Sequence, residues 1–169
     1  LNPDFLSSLS VALPSLPHLN KLSLSFANCE GLINQTSATF FESLSSLKEL
    51  TTLELDFSNI LAFDSFCLDY FSKALLKMSE LKRLSVKLSS CSNITSDSLD
   101  NFLTSITKST RLTNLNLNLI KSRINEEVIN NFGAGIHQLL FLETLDLNLM
   151  ACQDISEEEL HVLAQKCSL

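Results

Sequence analysis

Reactive side chains are sparse in this 169-residue sequence, and their spacing limits the chemistry they could perform. A zinc-binding helix places two histidines four residues apart on one face. The three histidines, His18, His137 and His161, stand before a leucine anchor, late in one helical stretch and inside another, and none has such a partner. Five cysteines, an odd number without a CxxC pair, match neither a zinc spacing nor a disulfide frame. Cys67 and Cys167 fall on helical stretches with no histidine nearby in sequence, which reads as packing. The run Gly133-Ala134-Gly135 reads as mid-helix, where small residues allow close helix packing, and it lacks the strand before and helix start after that a phosphate loop requires. Glu157, Glu158 and Glu159 open a helix, where carboxylates stabilise the positive end of its dipole; a catalytic pair there would also need a cleft. Arg123, in a turn, is the one loop arginine that a GTPase activator could offer to a nucleotide. The expectation is therefore a protein that is not an enzyme, with no catalytic residue, no cofactor and no metal site.

Charge narrows the partners. Nineteen acidic against 12 basic residues give a net charge of -7, which argues against nucleic acid or an anionic membrane as the principal ligand, since both demand concentrated Lys and Arg. No apolar run approaches the roughly 20 residues needed to span a bilayer. There is no initiating methionine and no basic segment followed by an apolar one at the start, so the chain reads as a piece of a longer or processed polypeptide. Two N-x-T sequons, at Asn34 and Asn93, fall in turns where Asn and Thr are expected on other grounds.

The elements that position these residues recur. "TNLNLNLIKSRIN", from Thr113, alternates Leu115, Leu117 and Leu119 with Asn116 and Asn118, the pattern of a strand with one apolar and one amide face. The pattern returns in "NKLSLSFANCEGL", "TTLELDFSNILAF", "KRLSVKLSSCSNI" and "ETLDLNLMACQDI". The anchors Leu19, Leu50, Leu81, Leu112 and Leu142 are spaced by 31, 31, 31 and 30 residues, a period that signals a solenoid. After each strand the period changes: Phe40, Phe71, Phe102, Phe132 and Leu163 form one column, and Leu44, Leu75, Ile106, Ile136 and Cys167 another, four residues on. Leu47, Met78 and Leu139 follow, with Ser109 the exception. Asp64, Thr95, Asn125 and Ser156 mark the helix starts, and Ser156 with Glu159 forms a capping box; the first unit has Ile33 there, so Asn34 or Thr36 must substitute.

Anchor, strand, turn and amphipathic helix together resemble a leucine-rich repeat of the long, ribonuclease-inhibitor-like kind. "LTNLNLNL" and "LETLDLNL", with an extra apolar strand position, are similar to the repeats abundant in ciliated protists. The resemblance covers Leu19 to Leu169, with Phe5 to Leu19 as the helix of a preceding unit. It implies an α/β, right-handed leucine-rich-repeat solenoid with five parallel strands on the concave face and helices on the convex face. A single domain over 1–169 divides into 1–19 and repeats at 20–50, 51–81, 82–112, 113–142 and 143–169. The sequence departs from the family in lacking glycine before the helix, so irregular turns are expected. Cys29, Ile60, Cys91, Ser122 and Cys152 share the column where the family carries Cys or Asn pointing into the turn, which implies buried thiols. Cys29 and Cys91 stand two repeats apart, about 10 Å at the ~5 Å spacing of strands, too far for a disulfide. Reduced thiols suggest an intracellular, cytoplasmic protein.

Function then falls to the outward strand face, which becomes concave because strands pack ~5 Å apart and helices 8 to 10 Å. Its rows are Lys21, Thr52, Arg83, Asn114, Thr144; Ser23, Glu54, Ser85, Asn116, Asp146; and Ser25, Asp56, Lys87, Asn118, Asn148. A fourth, Ala27, Ser58, Ser89, Ile120 and Met150, turns apolar towards its C-terminal end. These rows lack the aromatic platforms that stack bases or sugars. The expected role is a noncatalytic protein-interaction module or a structural subunit of a larger assembly, ciliary or cytoskeletal. Its partner-binding residues would be Arg83, Glu54, Asp56, Lys87, Asn116, Asn118, Ile120, Asp146, Asn148 and Met150. The alternative is a regulator of an enzyme, an inhibitor or GTPase activator. Protein partners are expected, with neither nucleic acid nor membrane, and with the ends covered by flanking repeats or another subunit.

Overall fold

A computed structural model describes residues 4–29, 36–152 and 155–167. Five alternating segments form five-residue strands: β1 Lys21–Ser25, β2 Thr52–Asp56, β3 Arg83–Lys87, β4 Asn114–Asn118 and β5 Thr144–Asn148. They lie in one parallel sheet in chain order, β1 to β5. Leu22 pairs with Leu53, Leu53 with Leu84, Leu84 with Leu115 and Leu115 with Leu145, so the register follows the repeat. A one-residue slip would put every leucine in solvent, which is why the alternation specifies this pairing strongly.

Pairing continues past the strand ends. The backbone N–H of Asn28, Asn59, Ser90 and Lys121 donates to the carbonyl of Ser58, Ser89, Ile120 and Met150 respectively, at 2.8 to 3.1 Å. Asn28, Asn59, Ser90, Lys121 and Ala151 all have φ between 56° and 61°. In four of the units the next N–H closes a turn, from Cys29 to Phe26, Cys91 to Leu88, Ser122 to Leu119 and Cys152 to Leu149. A positive φ at the third turn residue is a position that favours Gly or Asn, yet Ser, Lys and Ala occupy it in the later units. The turns are thus uniform in backbone conformation rather than irregular, and in the first four units a hydrogen bond from the left-handed residue to the next unit holds it.

The helices are α1 Asp4–Ala12, α2 Thr36–Leu44, α3 Ser65–Leu75, α4 Ser96–Thr107, α5 Glu126–Gly135 and α6 Glu157–Cys167. Asp64, Thr95 and Asn125 cap α3, α4 and α5 by accepting from the N–H of Cys67, Ser98 and Val128. Glu159 N–H donates to Ser156 Oγ at 3.2 Å and Ser156 N–H to the Glu159 carboxylate, the reciprocal capping box. That bond holds the Glu159 carboxyl below the usual carboxylate range. The cap of the first unit, with Ile33 and Asn34, lies outside the described residues, as does the side chain of Cys167. Two boundaries differ from expectation. Leu47, Met78 and Leu139 are buried beyond the helix ends, in the turns that return to the next strand. Gly133 to Gly135 close α5 rather than occupying its middle, and a 3-10 turn, Ile136–Gln138, follows.

Between sheet and helices runs one core. Phe40, Phe71, Phe102 and Phe132 are buried against the strand leucines, and Phe41 and Phe63 join them. Ring centroids stand 5.0 Å apart for Phe41 and Phe71, 5.3 Å for Phe71 and Phe102, and 4.4 Å for Phe57 and Phe63. Burial fades at the last strand: Leu115, Leu117 and Leu119 are no more than 1% exposed, whereas their counterparts Leu145, Leu147 and Leu149 are only half-buried. Leu140, Phe141 and Met150 are 83%, 64% and 65% exposed beside them.

Candidate partner-binding face

With helices on one side, the other side of the sheet is open, and its rows run from β1 to β5 as the register dictates. Cross-strand side-chain bonds tie neighbours within rows and, for Lys21 and Glu54, diagonally between two of them. Lys21 Nζ stands 2.9 Å from Glu54, Asn114 donates to Thr144 Oγ1 at 2.6 Å, and Asn116 donates to Asp146 Oδ2 at 2.8 Å. Hydrogen bonding from Lys21 and then Ser23 holds the Glu54 carboxyl below its ordinary value. Lys87 Nζ is 3.6 Å from Asp56 Oδ2. Exposed pairs of this kind add little stability and exchange readily for intermolecular ones.

The third row has a second task that sequence reasoning missed. Asp56 Oδ1, Asn118 Oδ1 and Asn148 Oδ1 each accept the backbone N–H two residues on, from Ser58, Ile120 and Met150 at 3.0, 3.3 and 3.1 Å. Asn118 Oδ1 also accepts from Ser89 Oγ at 2.7 Å. These side chains shape the turn that carries the left-handed residue, and the signal was the recurrence of Asp or Asn at that position. The Arg83 side chain, by contrast, is exposed and has no hydrogen-bond or ion-pair partner among the described residues. It lies with Glu54, Asn116 and Asp146 around a shallow depression of about 280 Å³. A second depression, about 260 Å³, holds Asp56, Lys87 and the serines Ser23 and Ser25. Ile120 is half-buried at the row's edge, and Met150 is exposed. The structure thus brings all ten expected contact residues to one face, with Ile120 and Met150 at its border.

The remaining reactive groups are scattered. His18 is exposed, with its Nδ1 3.1 Å from Glu49; His161 meets Gln165, and His137 is exposed. Among the described residues no three His, Cys, Asp or Glu side chains gather as metal ligands. No helix of those residues is long and apolar enough to cross a membrane. Arg123 is exposed in the shortened turn, where its carbonyl accepts from Ser96 Oγ at 3.2 Å. The sequon amide of Asn93 donates to the Leu61 carbonyl at 2.7 Å, which engages the nitrogen a glycan would need; the sequon at Asn34 lies outside the described residues.

The thiols differ more than their shared column implied. Cys91 is buried, its Sγ 3.2 Å from the Phe57 carbonyl, and burial pushes the thiol up to about 11. Cys29 and Cys152 are only half-buried because each belongs to a unit near one end of the array. Burial also raises the Cys67 and Cys152 thiols. Timed alkylation at mildly alkaline pH, read by peptide mass spectrometry, should modify Cys152 well before Cys91, which stays protected until unfolding. Equal rates would show that the interior position of Cys91 confers no protection.

With the face described, comparison places the fold. No family model matches the chain, and no curated protein matches it in sequence. Solved structures do match. The structure titled leiomodin-1 actin-binding site 2 superposes with a TM-score of 0.70 at 14% identity, covering 99% of this chain and 90% of that one. The tropomodulin C-terminal domain of Caenorhabditis elegans gives 0.68 at 13% identity, covering 96% and 90%. The likeness is one of fold. It extends over almost the full length of both partners, and it bears out the α/β solenoid of five parallel strands alternating with helices.

Proposed function

We propose that this chain is a noncatalytic protein-binding module of a cytoskeletal assembly, whose partner docks on the open face of the sheet. The single observation that carries the reading is the face itself. Short side chains of mixed charge and hydrogen-bonding character span all five strands, around two shallow depressions and an exposed Arg83. Paired surface groups that can exchange partners, with few deep pockets, suit a folded protein surface better than a small substrate.

Actin is the partner to test first, because a solved actin-binding site shares the fold over nearly its whole length. Repeats similar to those of ciliated protists make a ciliary complex the narrower setting. We also propose that the chain is a leucine-rich-repeat protein divided into units at 20–50, 51–81, 82–112, 113–142 and 143–169. The half-exposed leucines of β5 favour a further repeat or another subunit against that end.

The test is pelleting with actin filaments together with fluorescence anisotropy against monomeric actin, using the unaltered chain and Arg83→Glu/Lys87→Glu. The expected result is saturable binding, weakened about tenfold or more by the double reversal, a loss of roughly 1.4 kcal/mol. Absence of binding to both forms of actin would reject actin as the partner. Binding unmoved by the reversal would reject the sheet face.

A further inference from the structure

Comparison of the helices position by position isolates a departure on the side opposite the sheet. Two residues past the cap, α4, α5 and α6 carry Asp97, Glu127 and Glu158, whereas α3 carries Phe66. Six past the cap, α4 and α5 carry Asn101 and Asn131, whereas α3 carries Tyr70. Nine past the cap α3 adds Lys73, and Lys77 follows in the turn just after the helix ends. Residues so spaced share one helix face. That face borders α2, since Tyr70, Lys73 and Ala74 line a common groove with Phe41 and Glu42.

The stripe is organised. Phe66, 60% exposed, meets the Tyr70 ring edge to face at 4.8 Å, and Lys73 Nζ stands 5.3 Å over the same ring. Behind them a groove of about 160 Å³ opens between α2 and α3, lined by Tyr70, Lys73, Ala74, Lys77, Phe41 and Ser45, with Glu42 on the α2 wall. Lys48 donates to the Ser45 carbonyl at 2.8 Å and adds a third cation beside the groove. Lys73 and Lys77 stand against Glu42 in the groove lining and Lys48 beside it, with Asp69, four residues before Lys73, on the adjoining part of α3; the groove itself is locally basic in a chain of net charge -7. An exposed aromatic pair rimmed by cations has the composition of an interface centre rather than of an ordinary solvated helix face.

We propose that the α2–α3 groove is a second docking surface, and that its occupant is an acidic, amphipathic segment of a partner protein. An apolar side chain of that segment packs on Phe66 and Tyr70, and its carboxylates meet Lys48, Lys73 and Lys77. Charge complementarity decides the partner's sign: the three lysines repel a basic segment and attract an acidic one. The surface is independent of the sheet face and faces away from it, so one chain can hold two partners at once.

The experiment uses the full chain and a fluorescein-labelled helical peptide with phenylalanine and leucine on one face and glutamate elsewhere. One control peptide replaces the glutamates by lysine, and another replaces the apolar residues by serine. The expected result is saturable anisotropy for the acidic amphipathic peptide alone, weakening with added salt. Phe66→Ser and Lys73→Glu should each reduce affinity at least tenfold while thermal melts remain unchanged, as both side chains are exposed. Amide chemical-shift changes should cluster on α2 and α3 and spare Asn114 to Asn118. Equal binding of the lysine peptide, shifts confined to the sheet face, or preferential binding to phosphatidylserine vesicles would overturn the proposal. Loss of actin binding in the sheet-face variant leaves this readout untouched, so the two surfaces fail or succeed separately.

Discussion

Phe71→Ala lowers stability in urea unfolding by about 3 to 5 kcal/mol. The ring is completely buried, and its neighbours are themselves rings: Phe41 stacks at 5.0 Å on one side and Phe102 at 5.3 Å on the other. Removing it opens a void between three helices that β-sheet leucines cannot fill, since their register is fixed by pairing on both sides. In a solenoid each unit contacts only its neighbours, so a loss in a middle unit weakens two interfaces at once. A loss under about 1 kcal/mol would mean that the phenylalanine column does not fill the space between sheet and helices.

Gly135→Ala is the more discriminating substitution, because local and tertiary preferences oppose each other. Within a helix, Ala for Gly gains about 0.8 to 1.0 kcal/mol. Here a Cβ at position 135 would lie 2.8 Å from Thr107 Cγ2 and 3.1 Å from Thr107 Cβ, at the contact between α4 and α5. Thr107 cannot swing aside easily. It is β-branched, buried, and its Oγ1 donates to the Thr104 carbonyl at 2.9 Å. Overpacking of this kind costs about 1 to 3 kcal/mol, so Gly135→Ala should be net destabilising. Combining it with Thr107→Ala should recover most of that loss, and a double-mutant cycle on thermal or urea melts measures the coupling. If Gly135→Ala stabilises the protein on its own, the close approach of α4 and α5 is not a constraint.

How much of this the sequence disclosed depends on whether a signal repeats. Leu53, Leu84 and Leu115 recur at a fixed period, and the strands, register and caps at Asp64, Thr95 and Asn125 follow from such columns. Phe63 belongs to a column of its own, with Ile94, Ile124 and Ile155, directly before each helix cap, where a lone apolar residue in a turn carries no strand or helix period; Phe41 was not legible because its column is broken, Ser72 separating it from Leu103. The left-handed residues were hidden for a different reason. Their column is regular in conformation but not in chemistry, running Asn, Asn, Ser, Lys, Ala, since backbone hydrogen bonds and, in three units, the Asp or Asn at the strand end hold the turn, and not the side chain of the left-handed residue itself. On the sheet face, alternation identified which residues point outward, and it could not show that Asp56, Asn118 and Asn148 also brace the turns. Helix ends were overextended at Leu47, Met78 and Leu139 because an inward-facing turn residue and a helical one look alike in a spacing pattern.

The shared register has a consequence for inheritance. Thr52 pairs with Arg83 and Arg83 with Asn114, so equivalent positions of successive units meet. Excising 82–112 as a block would bring Leu53 opposite Leu115, Asp56 opposite Asn118 and Phe71 beside Phe132, three contacts between residues of the same columns. Unequal recombination between copies therefore produces shorter or longer arrays that still fold, provided whole units are exchanged. A break inside a unit shifts the alternation and exposes a leucine face. Such a gene can vary in length by duplication and loss far more freely than it can vary by small insertions within a strand.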